Sequence, residues 1–311
     1  MTVAGVAVEL LPAFGPAHGT VEDRAWDAWN ADPQILIPAA IFVGLYLRGI
    51  VLLRRRGRPL AWWRVASFVL GSTAILLALE SPIDPLGEHY LTFHMVQHEL
   101  FVLYGAPFVL LGAPLRPMLL AMPRRVRMGV ARPLGRNPIV RDLDRRLLQA
   151  PVCAAPLAVA LLLWHVPGAY NASLRSDLVH DLQHLSFLLG ALILWWGVVD
   201  PIPSHRRGRY AGKVLALLVF VPVRIAVGAP ITLSKEIVYD AYARMELVLP
   251  LGRTVDQQLG GLIMWVPGIM MTLIATGIVF YGWAESQRPD DRLPDPNPAA
   301  TPAPRKREQA S

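Results

Sequence analysis

Residues 91–111 read LTFHMVQHELFVLYGAPFVLL, a long apolar run that carries two histidines four positions apart, His94 and His98. The same pattern, H-x-x-Q-H, occupies residues 180–184 directly before a second apolar run, 185–199. Positions i and i+4 of an α-helix lie on one face, about 6 Å apart along the axis. Each pattern therefore predicts two imidazoles on one side of one helix. If both helices enter a membrane from the same side, the two pairs can converge.

The composition indicates a membrane protein. Of the 311 residues, 54% are hydrophobic and 17% are charged, and the mean hydropathy is +0.40; soluble globular proteins are about 25% charged. The formal charge of +7 does not indicate a nucleic-acid partner, because the arginines cluster between apolar runs, as in membrane topology signals. The single cysteine, Cys153, rules out an intrachain disulfide and disfavours a cysteine metal site.

Seven apolar runs are candidates for transmembrane helices, which need about 20 largely apolar residues. We expect an all-α, polytopic membrane protein: an extracytoplasmic segment 1–33, a seven-helix bundle 34–283 and a disordered cytoplasmic tail 284–311 that is rich in proline, alanine and charge. The predicted spans are 34–53, 62–79, 87–111, 150–165, 177–199, 212–233 and 255–283. The fourth is the weakest, because it is short and contains two prolines.

The lysines and arginines predict the orientation of the bundle. One set of alternate connections, including the C-terminal tail, holds 23 of the 30 basic residues, and the other set, including the N-terminal segment, holds 5. Because cytoplasmic loops carry the excess of lysine and arginine, the N-terminus is expected outside and the C-terminus in the cytoplasm. Seven spans place the two termini on opposite sides of the membrane, which agrees with this orientation.

With this orientation, six of the eight histidines fall in one outer layer. These are His89, His94, His98, His165, His180 and His184. His18 and His205 lie in segments that we interpret as solvated. Polar residues at membrane depth are costly and usually functional, and imidazole is a ligand for copper, zinc, iron and nickel. The layer therefore predicts a metal or haem site.

Other polar residues share this layer, and each has a structural and a functional interpretation. Asp256 is either a helix cap or a site residue, and buried Arg224 needs a partner, for which Glu99 and Asp256 are the candidates. Gln97 and Gln183 point off the histidine face; they either hold a neighbouring helix or orient a ligand. The thioethers of Met95 and Met264 suit Cu(I) but are commonly core filler.

Four stretches together resemble the CtaG family of cytochrome c oxidase assembly factors, which are bacterial seven-helix membrane proteins. They are HMVQHELFVLYGAPFVLLGAPLRP from 94, HVPGAY from 165, HDLQHLSFLLGALILWW from 180 and DQQLGGLIMWVPG from 256. The resemblance implies a non-enzymatic respiratory-chain factor of the bacterial cytoplasmic (inner) membrane. It also implies that copper is delivered to the catalytic subunit of a haem–copper oxidase, after receipt from an extracytoplasmic donor. The metal ligands that it implies are His94, His98, His165, His180, His184 and Asp256.

Three other functions stay open at this point. A haem-binding membrane electron carrier would use one histidine from each H-x-x-Q-H helix as an axial ligand. An intramembrane zinc-dependent hydrolase would use three histidines and a carboxylate base, although no H-E-x-x-H motif is present. A scaffold for the oxidase would use the histidines for packing alone. The sequence contains no phosphate-binding loop or nucleophile elbow that would favour other enzyme classes.

Overall fold

The computed structural model describes residues 26–149, 152–199 and 210–287, and all regular secondary structure in these ranges is helical. The helices are α1 Pro33–Arg55, α2 Trp62–Glu80, α3 Ile83–His89, α4 Leu91–Glu99, α5 Ala106–Leu111, α6 Leu115–Ala121, α7 Arg124–Val126, α8 Arg132–Arg136, α9 Pro138–Leu147, α10 Ala155–Trp164, α11 Pro167–Ser173, α12 Asp177–Val199, α13 Tyr210–Leu233, α14 Asp240–Ala243 and α15 Arg253–Ser286. Two π-helical turns, Leu100–Gly105 and Arg127–Ala131, and one 3₁₀ turn, Val152–Ala154, complete them.

Five of the described helices, α1, α2, α12, α13 and α15, are long and apolar enough to cross a membrane by themselves. Two bent pairs meet the same criteria when each is taken as one span: Leu91–Leu111 with α6, bent by 64°, and α9 with Val152–Trp164. The described chain therefore has five to seven candidate spans. The prediction of an all-α, multi-pass membrane protein is confirmed in this form.

The third predicted span, 87–111, is wrong at its start. Gly87 belongs to the short helix α3. Tyr90 has an extended backbone (φ −136°, ψ 129°) and separates α3 from α4. A new helix begins here because the Asp256 carboxylate accepts the free backbone N–H groups of Leu91 and Thr92, both at 2.9 Å. At the other end, Ala113 takes a positive φ of 47° at the bend into α6.

The described part of the fourth predicted span, 150–165, begins at Val152. The 3₁₀ turn Val152–Ala154 leads into α10, and His165 is the residue that follows the last turn of this helix. Several predicted features lie outside the described residues: His18, His205, most of the N-terminal segment and the tail beyond 287.

Helix α15 is the central packing element, because it contacts α13 along its length and α4 near its N-terminus. Two consecutive glycines allow this double contact. A Cβ atom on Gly260 would lie 2.7 Å from the Leu91 side chain, and one on Gly261 would lie 2.5 Å from the Thr232 hydroxyl. The close approach of α15 positions α4, and with it the first histidine pair.

Candidate metal centre

Three histidines from two helices form the tightest group. His94 on α4 and His180 and His184 on α12 each offer a ring nitrogen, and these three atoms lie within 4.8 Å of one another. His94 and His184 are buried, and His180 is partly exposed. Both ring nitrogens of His94 and Nε2 of His184 lack a hydrogen-bond partner among the described residues. We call these three residues the histidine triad.

Two further imidazoles extend the triad towards the protein interior. The His98 ring centre lies 4.4 Å from that of His94 and 5.4 Å from that of His184. The His165 ring centre lies 6.3 Å from that of His98. Both rings are buried. The structure therefore brings together all five histidines that the sequence suggested, and we call the five the histidine centre.

The histidine centre is exceptional in its unpaired polar atoms. Both nitrogens of His98 and Nε2 of His165 are buried without a described partner. His165 Nδ1 lies 2.8 Å from the Leu161 carbonyl oxygen, which can only accept, so Nδ1 carries the proton and Nε2 of the neutral ring has a free lone pair. Buried polar groups are normally hydrogen-bonded, so several exceptions in one place mark the histidine centre as a candidate ligand site.

The two glutamines of the repeated pattern have different roles. Gln97 donates from Nε2 to the Ala78 carbonyl at 2.8 Å and to the Asp84 carboxylate at 2.6 Å, which confirms the helix-packing interpretation for this residue. Gln183 is completely buried, and neither its oxygen nor its nitrogen has a described partner. It lies close to His94 without forming a hydrogen bond of normal geometry. Gln183 is thus the glutamine that remains available to orient a ligand.

Asp256 has a structural role in this fold. Its two carboxylate oxygens accept the Leu91 and Thr92 backbone N–H groups, and its own carbonyl accepts the Thr92 hydroxyl at 3.0 Å. The residue therefore caps α4, a helix on a different part of the chain, and both oxygens are already used. We accordingly leave Asp256 out of the ligand set that the sequence suggested.

A buried ion pair lies next to the histidine centre. Arg224 on α13 donates to Glu99 at 2.7 Å and to the Met264 carbonyl at 2.5 Å, and both charged side chains are nearly inaccessible. Glu99 is thus the partner that Arg224 was expected to need. The guanidinium fits because Gly268 leaves the space, since a Cβ there would overlap it. The Met264 side chain is buried in the core, as is that of Met95.

Acidic residues surround His180, the partly exposed member of the triad. Asp84 and Glu88 both interact electrostatically with His180, and Asp177 and Asp181 lie near enough to interact with these two carboxylates. Burial raises the pKa of the Asp84 carboxyl, and hydrogen bonds from Gln97 and Asn30 oppose this rise. Partial burial also raises the pKa of Glu88, whose side chain remains accessible to solvent, and the nearby Asp84 charge raises it further. We call these four carboxylates the acidic mouth. In the sequence, the signal that could have revealed it is the loop 80–90, which contains no lysine or arginine.

Three buried tyrosines that the histidine spacing did not reveal hold the loops around the centre. The Tyr170 and Tyr242 hydroxyls lie 3.1 Å apart, and Tyr242 donates to the Gly87 carbonyl at 2.8 Å. Tyr239 stacks on Tyr170 and donates to the His165 carbonyl. Burial raises the pKa of all three phenols, so they remain neutral donors. They connect α3, α11 and α14 around the histidines.

Comparisons with known proteins give a family and distant relatives. A sequence model of the family described as cytochrome c oxidase caa3 assembly factor matches residues 44–286, which include the whole histidine centre. Uncharacterized proteins of Mycobacterium bovis and Mycobacterium tuberculosis are each 23% identical over 272 residues, which cover 85% of this chain and 40% of the relative. An uncharacterized protein of Mycobacterium leprae is 25% identical over 281 residues, 87% of this chain and 41% of the relative. The chain spans about 40% of the length of these relatives. No solved structure matches.

Proposed function

The chain belongs to the cytochrome c oxidase caa3 assembly factor family, and on that premise we propose that it binds a copper ion at the histidine centre and delivers it to the catalytic subunit of a haem–copper oxidase. The observation that carries the proposal is the histidine triad, whose three ring nitrogens lie within 4.8 Å of one another. In its two buried rings, both nitrogens of His94 and Nε2 of His184 have no described partner. Copper is the cargo in this proposal and not a resident cofactor.

The spacing of the triad suits one metal ion after a small adjustment. Imidazole nitrogens bind a metal at about 2.0 Å, so three nitrogens on one ion lie roughly 3.3–3.5 Å apart. Side-chain movements of about 1 Å would bring the triad from its present spacing to this value. The partly exposed ring of His180 can move at the least cost, because it is the member that is not enclosed by the core.

The donor atoms are imidazole nitrogens without thiolates, and this set favours a copper ion that can be passed on to another protein. Imidazole binds copper well, whereas closed structural zinc sites usually include thiolates, and the only cysteine, Cys153, lies in the apolar core cluster. His98 and His165 then offer further nitrogens deeper in the centre, with ring centres 6.3 Å apart. Two imidazoles that face one ion from opposite sides have centres about 6 Å apart, given metal–nitrogen bonds of about 2.0 Å. Copper can therefore pass from the triad to this second pair.

The acidic mouth gives the cation a route to the triad. Carboxylates in a cleft raise the local concentration of cations, and the four carboxylates lie around the one triad member that solvent reaches. With seven spans and the N-terminus outside, as the distribution of basic residues predicts, this route opens to the extracytoplasmic space. Copper would then enter from the side on which an extracytoplasmic donor works.

Two alternatives fit the geometry less well. For a zinc hydrolase, the candidate bases are occupied, because Glu99 is paired with Arg224 and Asp256 accepts two backbone N–H groups. For a haem carrier, an axial histidine needs open space beside its ring for the porphyrin. The space beside the His98 ring is filled by His94 at 4.4 Å and Phe187 at 4.5 Å between ring centres.

Metal analysis of the purified full chain tests the proposal. Wild-type protein prepared under copper-replete, chelator-free conditions should contain close to stoichiometric copper, and His94→Ala/His184→Ala should contain almost none. In cells, the same variant should lower the copper content and activity of the oxidase. His205→Ala, which changes a histidine outside the described residues, is the control and should match the wild type.

Three results would count against the proposal. Zinc in place of copper in the wild-type protein would favour hydrolytic chemistry, and a Soret band in its absorption spectrum would favour haem. Full oxidase activity in cells that carry His94→Ala/His184→Ala would leave the histidines with a packing role and the protein as a scaffold.

A further inference from the structure

A cavity lined by arginines lies at the end of the bundle opposite the histidine centre. It has a volume of about 750 Å³, and its lining consists of four arginines and four leucines. The arginines are Arg56 and Arg58, which directly follow α1, Arg116 on α6, and Arg127 in the π-helical turn Arg127–Ala131. The leucines come from the last turn of α1 and from α6. Ligand cavities commonly measure about 300–1,000 Å³.

The position of α1 establishes that this is the opposite end. At its N-terminus, the Asp32 backbone N–H donates to Glu80, and the neighbouring Asn30 side chain donates to Asp84 of the acidic mouth. The helix has 23 residues and is therefore about 35 Å long, roughly the thickness of a membrane core. The arginine cavity lies where α1 ends, next to its close crossing with α6, at which a Cβ on Gly49 would overlap the Pro117 backbone.

Within the part of the chain that the structure describes, the arginines of the cavity have no acidic partners. None of the four forms an ion pair with a carboxylate among the described residues, and no acidic residue lines the cavity. Arg127 is anchored by hydrogen bonds to the Leu119 and Leu120 carbonyls, whereas Arg58 and Arg116 are exposed. The cavity thus combines a fixed cation, adjustable cations and an apolar wall.

A second cavity continues the first. It measures about 360 Å³ and shares Leu115 and Arg116 with its neighbour. Its lining is completed by Leu60, Arg64, Trp196, three prolines and two alanines. A tryptophan beside arginines at a helix end is typical of the membrane–water interface, where a lipid headgroup meets its acyl chains.

We propose that these joined cavities bind the phosphate headgroup of an anionic phospholipid. Arginine binds phosphate through charge-assisted, bidentate hydrogen bonds. The leucine wall and exposed apolar residues of α1 such as Val51 lie beside the acyl chains of the bound lipid. Basic cavities between membrane helices on the cytoplasmic side bind such headgroups in other proteins. The site is independent of the histidine centre and of its metal.

Native mass spectrometry of the detergent-purified full chain tests the proposal with three probes: phosphatidylglycerol, phosphatidylcholine of the same chain length, and inorganic phosphate. Phosphatidylglycerol should bind at least about tenfold more tightly than phosphatidylcholine. Arg58→Gln/Arg116→Gln should weaken its binding by about 30-fold, the order expected for two phosphate-facing cations near a membrane surface. The control Arg136→Gln/Arg141→Gln removes two exposed arginines that do not line the cavity and should change binding by less than about twofold.

Equal binding of the two lipids, or equal losses in the two double variants, would overturn the proposal. Displacement of the lipid by inorganic phosphate at the same concentration would reassign the cavity to free phosphate and would also overturn it. If Arg58→Gln/Arg116→Gln does not fold, Arg58→Gln alone changes only a loop residue and should still weaken phosphatidylglycerol binding by about fivefold. No loss in that variant would be decisive against the proposal.

Discussion

The two ends of the bundle hold their polar residues in opposite ways. At one end, five imidazoles lie together, four of them buried, and many of their nitrogens have no described partner. At the other end, the cavity arginines are mostly exposed, and water can solvate them. Burial of an unpaired polar group costs free energy, whereas an exposed arginine costs almost none. The unpaired groups at the histidine end therefore carry a free-energy cost that the proposed copper ion would offset, whereas the exposed arginines at the other end carry almost none.

The largest expected difference is in the free energy of unfolding when one ion pair at each end is broken. Glu99→Gln would leave the Arg224 guanidinium buried without a counter-charge beside the histidine centre. Loss of one partner of a buried pair costs about 3–5 kcal/mol. We expect a corresponding fall in the free energy of unfolding, measured by chemical denaturation in detergent micelles, together with reduced copper content.

The matched change at the arginine end is Asp142→Asn. Asp142 pairs with Arg145 and Arg146, and all three side chains are substantially exposed. Exposed pairs contribute about 0–1 kcal/mol, so the variant should be nearly as stable as the wild type. Equal destabilisation by Glu99→Gln and Asp142→Asn would show that the two ends do not differ in the way described.

The second contrast lies within the histidine end. His180→Ala removes a triad nitrogen. Loss of a residue that only supports a metal ligand weakens metal binding by up to about 100-fold. We therefore expect loss of this ligand to weaken copper binding by at least about 100-fold. His165→Ala removes a ring whose centre lies 6.3 Å from His98 and should weaken binding by about tenfold or less. Competition titrations with a copper chelator would measure both values. A larger loss for His165→Ala would place the first binding site in the interior and not at the triad.

The third contrast separates a cap from a ligand. Asp256→Asn weakens the two hydrogen bonds that begin α4, and a lost cap costs about 0.5–2 kcal/mol. We therefore expect lower stability with copper affinity changed by less than about tenfold, far from the roughly 100-fold set for a ligand. Asp240→Asn, at an exposed residue in the first turn of α14, is the control and should leave both quantities unchanged. Unchanged stability with a 100-fold loss of copper affinity would return Asp256 to the ligand set.

The periodic parts of this fold were predictable from the sequence because they depend on local spacing. Two histidines at i and i+4 share a helix face whatever surrounds them, so the convergence of His94 with His184 required only that α4 and α12 enter from one side. The need of Arg224 for a carboxylate was equally predictable, because a lone buried guanidinium is too costly to keep.

The remaining features depend on contacts between distant parts of the chain. No local pattern shows that Asp256 caps a helix 165 positions earlier, or that this cap breaks the third apolar run at Tyr90. The role of Asp84 was missed for the same reason, since its partners Gln97 and Asn30 come from two other segments. The distinction between Gln97 and Gln183 also depends on neighbours, because both occupy the same position of the same motif.

The smallest expected effect concerns the acidic mouth and separates rate from affinity. Glu88→Gln/Asp177→Asn removes two exposed charges near His180 and leaves the triad nitrogens unchanged. Because exposed charges steer cations and are screened by salt, we expect copper to load about two- to fivefold more slowly at low ionic strength. The difference should vanish near 1 M salt, where the Debye length is about 3 Å.

Stopped-flow mixing of the copper-free full chain with Cu(II), followed by tryptophan quenching, measures the rate. Asp142→Asn/Asp144→Asn removes two charges at the arginine end and should load at the wild-type rate. Slower loading in both variants would mean that net charge alone attracts the ion, and a rate difference that persists at high salt would mean that the two carboxylates act by direct contact with copper.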